Sequence, residues 1–274
     1  MRERGVEIKK PDQIVKMRAA GLVVGETLDL LRRTAKAGMT TGELDAIAED
    51  NIRSSGAVPS FKGYSYPPFP GSICASVNDE IVHGVPGDRV LAEGDVVSID
   101  CGAIVEGWHG DAAVTIAIGE VPAEATELMR VTQESLWRGI AAARLGGRVT
   151  DISHAIESYV RSQGGYGVLE EYVGHGIGSA MHQPPNVPNY GKPGRGPKLV
   201  QGLALAVEPM IVLGDKASRV LDDEWTVATA DGSLAAHFEH TFTLTPNGAW
   251  VLTALDGGEA KLAELGVPFG PLAA

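Results

Sequence analysis

The 274-residue chain is 44% hydrophobic and carries a net charge of −12, with 35 acidic against 23 basic side chains; it can bury a full core, and without a basic run it is a poor partner for nucleic-acid phosphates. Two cysteines, Cys74 and Cys101, make no disulfide framework and no Cys-rich zinc pattern, which fits a reducing cytosol. With no leader-like start and no apolar run of roughly 20 residues, the expectation is a cytoplasmic protein without a membrane anchor.

Residues 1–10 read as a short charged extension. Helices are predicted near 12–37 and 41–55, then strands near 72–77, 96–105 and 108–118. A second set follows, with helices near 123–145 and 150–163 and strands near 203–212, 225–229 and 236–245. The Pro- and Gly-rich segments "YSYPPFPGS" and "HQPPNVPNYGKPGRGPK" read as ordered loops. The stretch 251–274 is poorly patterned, so a partly loose tail is expected.

The two sets can be superimposed. "GELDAIAEDNIRSSG" and "TDISHAIESYVRSQG" align at an offset of 108 residues, and "EGDVVSID" falls on "QGLALAVE" at the same offset, so that Asp100 meets Glu208. The predicted fold class is therefore α+β, an internal duplication with halves at about 11–120 and 121–250. The halves pair about a pseudo-twofold axis, with a central antiparallel sheet and helices outside.

Asp100 and Asp111 interrupt otherwise apolar strands. With Glu106-Gly107 as a two-residue turn, Asp100 lies opposite Ala113 and Asp111 opposite Gly102. Both acids then share one face as diagonal neighbours, roughly 7 to 8 Å apart at the backbone. In "HFEHTFTLT", Glu239 shares a face with His237, Thr241 and Thr243, and Glu208 ends an apolar strand before Pro209. A lone Asp in a strand is more often exposed or hydrogen-bonded than ligating, but four acids at repeat-related positions are harder to dismiss. If the duplication holds, four carboxylates converge, and four such charges in a partly dry site require cations. Two divalent ions, held roughly 3.5 to 4 Å apart by bridging carboxylates, would neutralise them; mostly oxygen ligands suit Mn, Fe, Co or Zn.

Among seven histidines, His175 sits between glycines, His182 follows Met181, and His83 ends a short apolar strand. His109, His154, His237 and His240 show no comparable constellation and are expected to be structural or surface residues. "VHGVP", "IDCGAIVEGWHGDAAVT", "GHGIG" followed by "MH", "VEPM" and "HFEHT", in this order and spacing, resemble the type I methionine aminopeptidases. The resemblance covers about residues 10–250 and implies a pita-bread fold and a dimetal enzyme of the M24 metallopeptidases. It implies Asp100, Asp111, His175, Glu208 and Glu239 as ligands, with Asp111 and Glu239 bridging, and His83 and His182 as catalytic histidines. Phe61, Tyr64, Cys74, Met181 and Trp225 would line the methionine pocket, although bacterial members usually carry an aromatic residue where Met181 stands.

Only 30 residues separate Glu208 from Glu239, which leaves no room for the helical insertion of type II enzymes. The implied reaction is removal of the initiator methionine from nascent chains, including those at the ribosome, with a small second residue preferred. A hydroxide bridging the metals would attack the first peptide bond, Glu208 would exchange protons, and His182 would steady the oxyanion. A monomer is expected. Two rivals are a proline-specific enzyme of the same fold and a catalytically dead, peptide-binding relative.

Overall fold

The computed structural model describes residues 5–272. The first half of the chain forms α1 (Pro11–Thr34), α2 (Thr41–Ser54), β1 (Val58–Pro59), β2 (Ile73–Val77), β3 (Glu80–Val82), β4 (Val96–Val105) and β5 (Trp108–Ala117). The second forms α3 (Ala123–Ala142), α4 (Val149–Gln163), β6 (Gly167–Val168), β7 (Gly174–Gly176), β8 (Gln183–Val187), β9 (Ala204–Val207) and β10 (Met210–Val212). It continues through β11 (Ser218–Val220), β12 (Val227–Thr229), β13 (Ala235–His237), β14 (Glu239–Thr245), β15 (Gly248–Val251) and α5 (Glu259–Glu264).

Local chemistry sets the helix starts. Pro11 opens α1, where its missing N–H costs nothing. At α2 the Thr40 hydroxyl accepts from the Glu43 N–H at 3.0 Å while the Glu43 carboxylate accepts from the Thr40 N–H at 2.8 Å, a reciprocal cap worth about 1 kcal/mol. The apolar stripe Ile14, Met17, Gly21, Val24, Leu28, Leu31 recurs every three or four residues and is buried. The starts of α2 and α4, and those of β4 and β9, are both 108 residues apart, the spacing expected from the repeat.

Nine strands make the main antiparallel sheet, in the order β1-β4-β5-β14-β9-β7-β8, with β2 on β4 and β15 on β14. α1 and α2 bury Leu28, Leu31, Leu44 and Ile52 against Ile99 and Cys101 of the first half. α3 and α4 bury Leu136, Ile140, Ile152 and Ile156 among Leu205, Val207 and Phe242 of the second. Successive strand residues face opposite sides, so Ile99 and Cys101 meet the helices while Asp100 and Gly102 face away from them. The turn after β4 is the expected one: Glu106 and Gly107 both have positive φ, 49° and 82°, as a two-residue hairpin turn matching the strand twist requires.

Four expectations differ from the structure. The Pro-rich segment after Met181, expected as a loop, carries β8 at Gln183–Val187, paired with β7 in the main sheet. The strand expected at 203–212 breaks at Glu208-Pro209 into β9 and β10, which lie in different sheets; proline has no N–H to continue a ladder. The strand expected at 236–245 likewise breaks at Phe238, because β13 leaves the main sheet to pair with β10, Met210 opposite His237. The described part of the tail, residues 252–272, is packed rather than loose, and residues 273–274 lie outside the described residues. Leu252 and Leu262 are fully buried, and the Arg18 guanidinium donates to the carbonyls of Leu252 and Leu255 at 2.7 and 2.8 Å. α1 approaches this tail so closely that a Cβ on Gly21 would fall 2.2 Å from the Leu252 oxygen.

Candidate metal centre

Strand register assembles the acids in two adjacent rows. In the first, Cys74 of β2 lies opposite Asp100 of β4, Asp100 opposite Ala113 of β5, and Ala113 opposite Glu239 of β14. The β14–β9 pairing ends at His240 opposite Val207, and one further step along it brings Glu208 across from Glu239. Pro209 stops the ladder there. The methyl of Ala113 keeps the middle of the row open for the longer acids on either side.

In the second row Asp111 lies opposite Gly102, and His175 of β7 opposite Ala206 of β9, which faces Thr241 of β14. The Thr241 hydroxyl ties β14 to β5 by accepting from the Asp111 N–H at 3.2 Å and donating to its carbonyl at 2.8 Å. Every acid and His175 thus arrive on one face, two residues apart along their strands. The glycines on either side of His175 are strand residues; a Cβ at Gly174 would fall 2.4 Å from the Ala206 carbonyl oxygen.

Asp111, His175 and Glu239 are buried, with Asp100 and Glu208 partly so. One potential ligand atom each from Asp111, His175 and Glu239 lie within 4.8 Å of one another, as do those of Glu208, His237 and Glu239. The donor set fits divalent cations on an observation of its own: Asp100 Oδ1, Asp111 Oδ1 and Glu239 Oε1 are buried and find no hydrogen-bond partner among the described residues, a costly condition that coordination would relieve. His175 is prepared in the same sense. Its Nδ1 lies 3.0 Å from the Gly176 carbonyl oxygen and so carries the proton, which leaves the Nε2 lone pair free. That Nε2 sits 3.5 Å from Glu208 Oε1.

Burial dominates the electrostatics. It pushes Asp100 up to about 7 and, with repulsion from neighbouring acids added, lifts Asp111, Glu208 and Glu239 well above the usual carboxylate range. Burial also lowers His175 to about 3 and His83 to about 4, in both cases with help from His182. His182 itself is lowered by burial. All three imidazoles are therefore neutral at pH 7.

Above this floor lies a cavity of about 110 Å³, lined by all twelve residues expected from the sequence and by Phe69 as well. Phe61, Phe69, Cys74, Met181 and Trp225 form its apolar wall, with Val85 packed against them, and Phe69 meets Trp225 edge-on at 5.1 Å. His83 stands at positive φ, 61°, just after β3, with its ring 6.3 Å from that of Trp225. His182 keeps part of its surface open to solvent while its ring lines the cavity. Its Nδ1 is 2.6 Å from the Tyr64 hydroxyl, and its ring is 4.4 Å from that of His175.

Two residues at the site escaped the sequence. Phe69 lies in a proline-rich loop without periodicity. His237, expected to be structural or surface, has its Nε2 3.6 Å from Glu208 Oε2 and unpartnered; the alternation that put it on the face of Glu239 was the available signal.

Residues 15–246 match the model of metallopeptidase family M24. A methionine aminopeptidase of Clostridium acetobutylicum is 55% identical over 247 residues, 90% of this chain and 98% of that protein. One of Mycobacterium tuberculosis is 50% identical over 256 residues, covering 91% and 96%. The crystal structure of the Thermotoga maritima methionine aminopeptidase superimposes with a TM-score of 0.88 at 43% identity, covering 91% of this chain and 99% of that one. The prolidase of Pyrococcus furiosus, at 23% identity and a TM-score of 0.73, shares the pita-bread fold. By sequence over most of its length and by fold, the chain belongs to metallopeptidase family M24 and, within it, to the methionine aminopeptidases.

Proposed function

We propose that the chain removes N-terminal methionine from peptides and nascent proteins in a metal-dependent reaction, with Asp100, Asp111, His175, Glu208 and Glu239 holding two divalent ions of Mn, Fe, Co or Zn. The observation that carries this is the set of unpartnered buried carboxylate oxygens flooring an apolar cavity. When bound, such ions supply Lewis acidity and an activated water.

The chain's own residues do the rest. Phe61, Phe69, Cys74, Met181 and Trp225 take the apolar methionine side chain; sulfur and aromatic groups suit a thioether. Glu208 accepts a proton at its carboxylate and returns it to the leaving amine. With Tyr64 donating to its Nδ1, His182 is left with Nε2–H as a donor toward the developing oxyanion, and His83 holds the scissile amide from the other side. Preference for a small second residue, nascent chains at the ribosome as substrates, a cytoplasmic location and a monomeric state belong to the same proposal. Among the described residues no helix is long and apolar enough to cross a membrane.

The test is protein reconstituted with each of the four metals and offered Met-Ala-Ser and Ala-Pro peptides. Release of methionine is the expected result. Cleavage before proline, or no turnover with any divalent ion, would overturn the proposal.

A further inference from the structure

His237 belongs neither to the five proposed ligands nor to the histidine pair above them, yet it is turned into the same centre. Its side chain is 2% exposed. Its backbone is clamped by the Thr115 hydroxyl, which accepts from the His237 N–H at 2.9 Å and donates to the His237 carbonyl at 2.8 Å; the Ser98 hydroxyl backs Thr115 at 2.8 Å. Two residues before Glu239, the ring projects toward the acids. Its Nε2, buried and without a hydrogen-bond partner, lies 3.6 Å from Glu208 Oε2.

Glu208 therefore has an imidazole at each carboxylate oxygen, His175 at Oε1 and His237 at Oε2. The two rings differ at their other nitrogen. Bonding of Nδ1 to the Gly176 carbonyl fixes His175 with a bare Nε2, as a ligand needs. No such bond holds the Nδ1 of His237, so nothing keeps the proton from the nitrogen that faces a carboxylate oxygen. We infer that His237 is a positioning residue of the metal centre, whose Nε2–H holds Oε2 of Glu208 and so presents Oε1 to the cations. The present 3.6 Å separation exceeds a hydrogen bond by about 0.6 Å, a gap that a small rotation of the Glu208 side chain closes. This inference rests on the proposed role of Glu208 as a ligand.

The test titrates Mn²⁺ into the wild-type protein, His237→Ala and His237→Gln by calorimetry, and records the visible spectra of the Co²⁺-loaded forms. Glutamine retains an N–H donor, and neither substitution touches the backbone clamp. The alanine variant is expected to bind one cation about 10- to 100-fold more weakly, the usual cost of losing a residue that orients a ligand, and to show an altered Co²⁺ band. The glutamine variant is expected to restore both. If the alanine protein does not fold, His237→Leu fills similar volume without a donor and makes the same comparison with glutamine. Two cations bound equally well by every variant, or glutamine performing no better than alanine, would overturn the role of His237 alone. A wild-type protein that binds no divalent cation would overturn the centre as a whole.

Discussion

On the proposed ligand set, loading the centre with a divalent cation displaces protons, because burial raises the carboxylates' pKa values. Asp100 is pushed up to about 7, and Asp111, Glu208 and Glu239 lie well above the usual range. Each of these groups has a folded pKa above its unfolded value. In the metal-free protein its neutral form therefore stabilises the fold at low pH, and that contribution is lost as pH rises through the folded value. Metal binding demands the opposite state, all four acids ionised. From Asp100 alone about 0.9 proton leaves at pH 6 and about 0.25 at pH 7.5, and the burial and mutual repulsion that raise Asp111, Glu208 and Glu239 add to that release. His175, already neutral, releases none. Mn²⁺ titrations in buffers of different ionisation enthalpy should report more than one proton at pH 6, and fewer at pH 7.5. The apparent affinity should tighten by about tenfold per pH unit for each proton displaced. Heats independent of buffer at pH 6, with affinity flat across this window, would refute the claim that burial holds these acids neutral.

Three more outcomes follow from the geometry. Tyr64→Phe keeps the aromatic wall but removes the hydroxyl 2.6 Å from His182 Nδ1, so kcat should fall about tenfold with KM little changed, about 1.4 kcal/mol for one orienting hydrogen bond. His182→Ala should cost about 10² to 10³ in kcat with folding intact; steady-state rates on Met-Ala-Ser check both, and wild-type kinetics in either variant would sink the proposed part of that side chain. Gly21→Ala forces a methyl into the Leu252 carbonyl, an overpacking cost of about 1–3 kcal/mol. At ~2–4 °C per kcal/mol for a chain of this size, calorimetry should show a clearly lower Tm, and an unchanged one would mean that α1 shifts away without penalty.

The chain's own order of residues determined whatever depends on neighbours in sequence. The α2 start follows from Thr40 and Glu43 closing on each other, the β4–β5 register from Glu106-Gly107 adopting two positive φ angles, and the 108-residue repeat reappears in both helix and strand starts. Alternation along β4, β5 and β14 sorted the acids onto one face before any packing was known, because side-chain direction in a strand has a period of two.

Tertiary structure alone decided the rest. Glu208-Pro209 and Phe238 look like mid-strand positions, but the chain changes sheet at both, since β10 and β13 find their hydrogen-bonding partners in each other rather than along the main ladder. His175 is a strand residue because β8 and β9 flank its strand, and the described tail packs against Arg18 and Gly21 of α1 and into the core of the second half. Alternation puts His237 on the face of Glu239, but that alone does not separate a residue of the centre from a core histidine. What distinguishes it is an unpartnered nitrogen aimed at Glu208, and that depends on distances between segments that only the folded chain brings together.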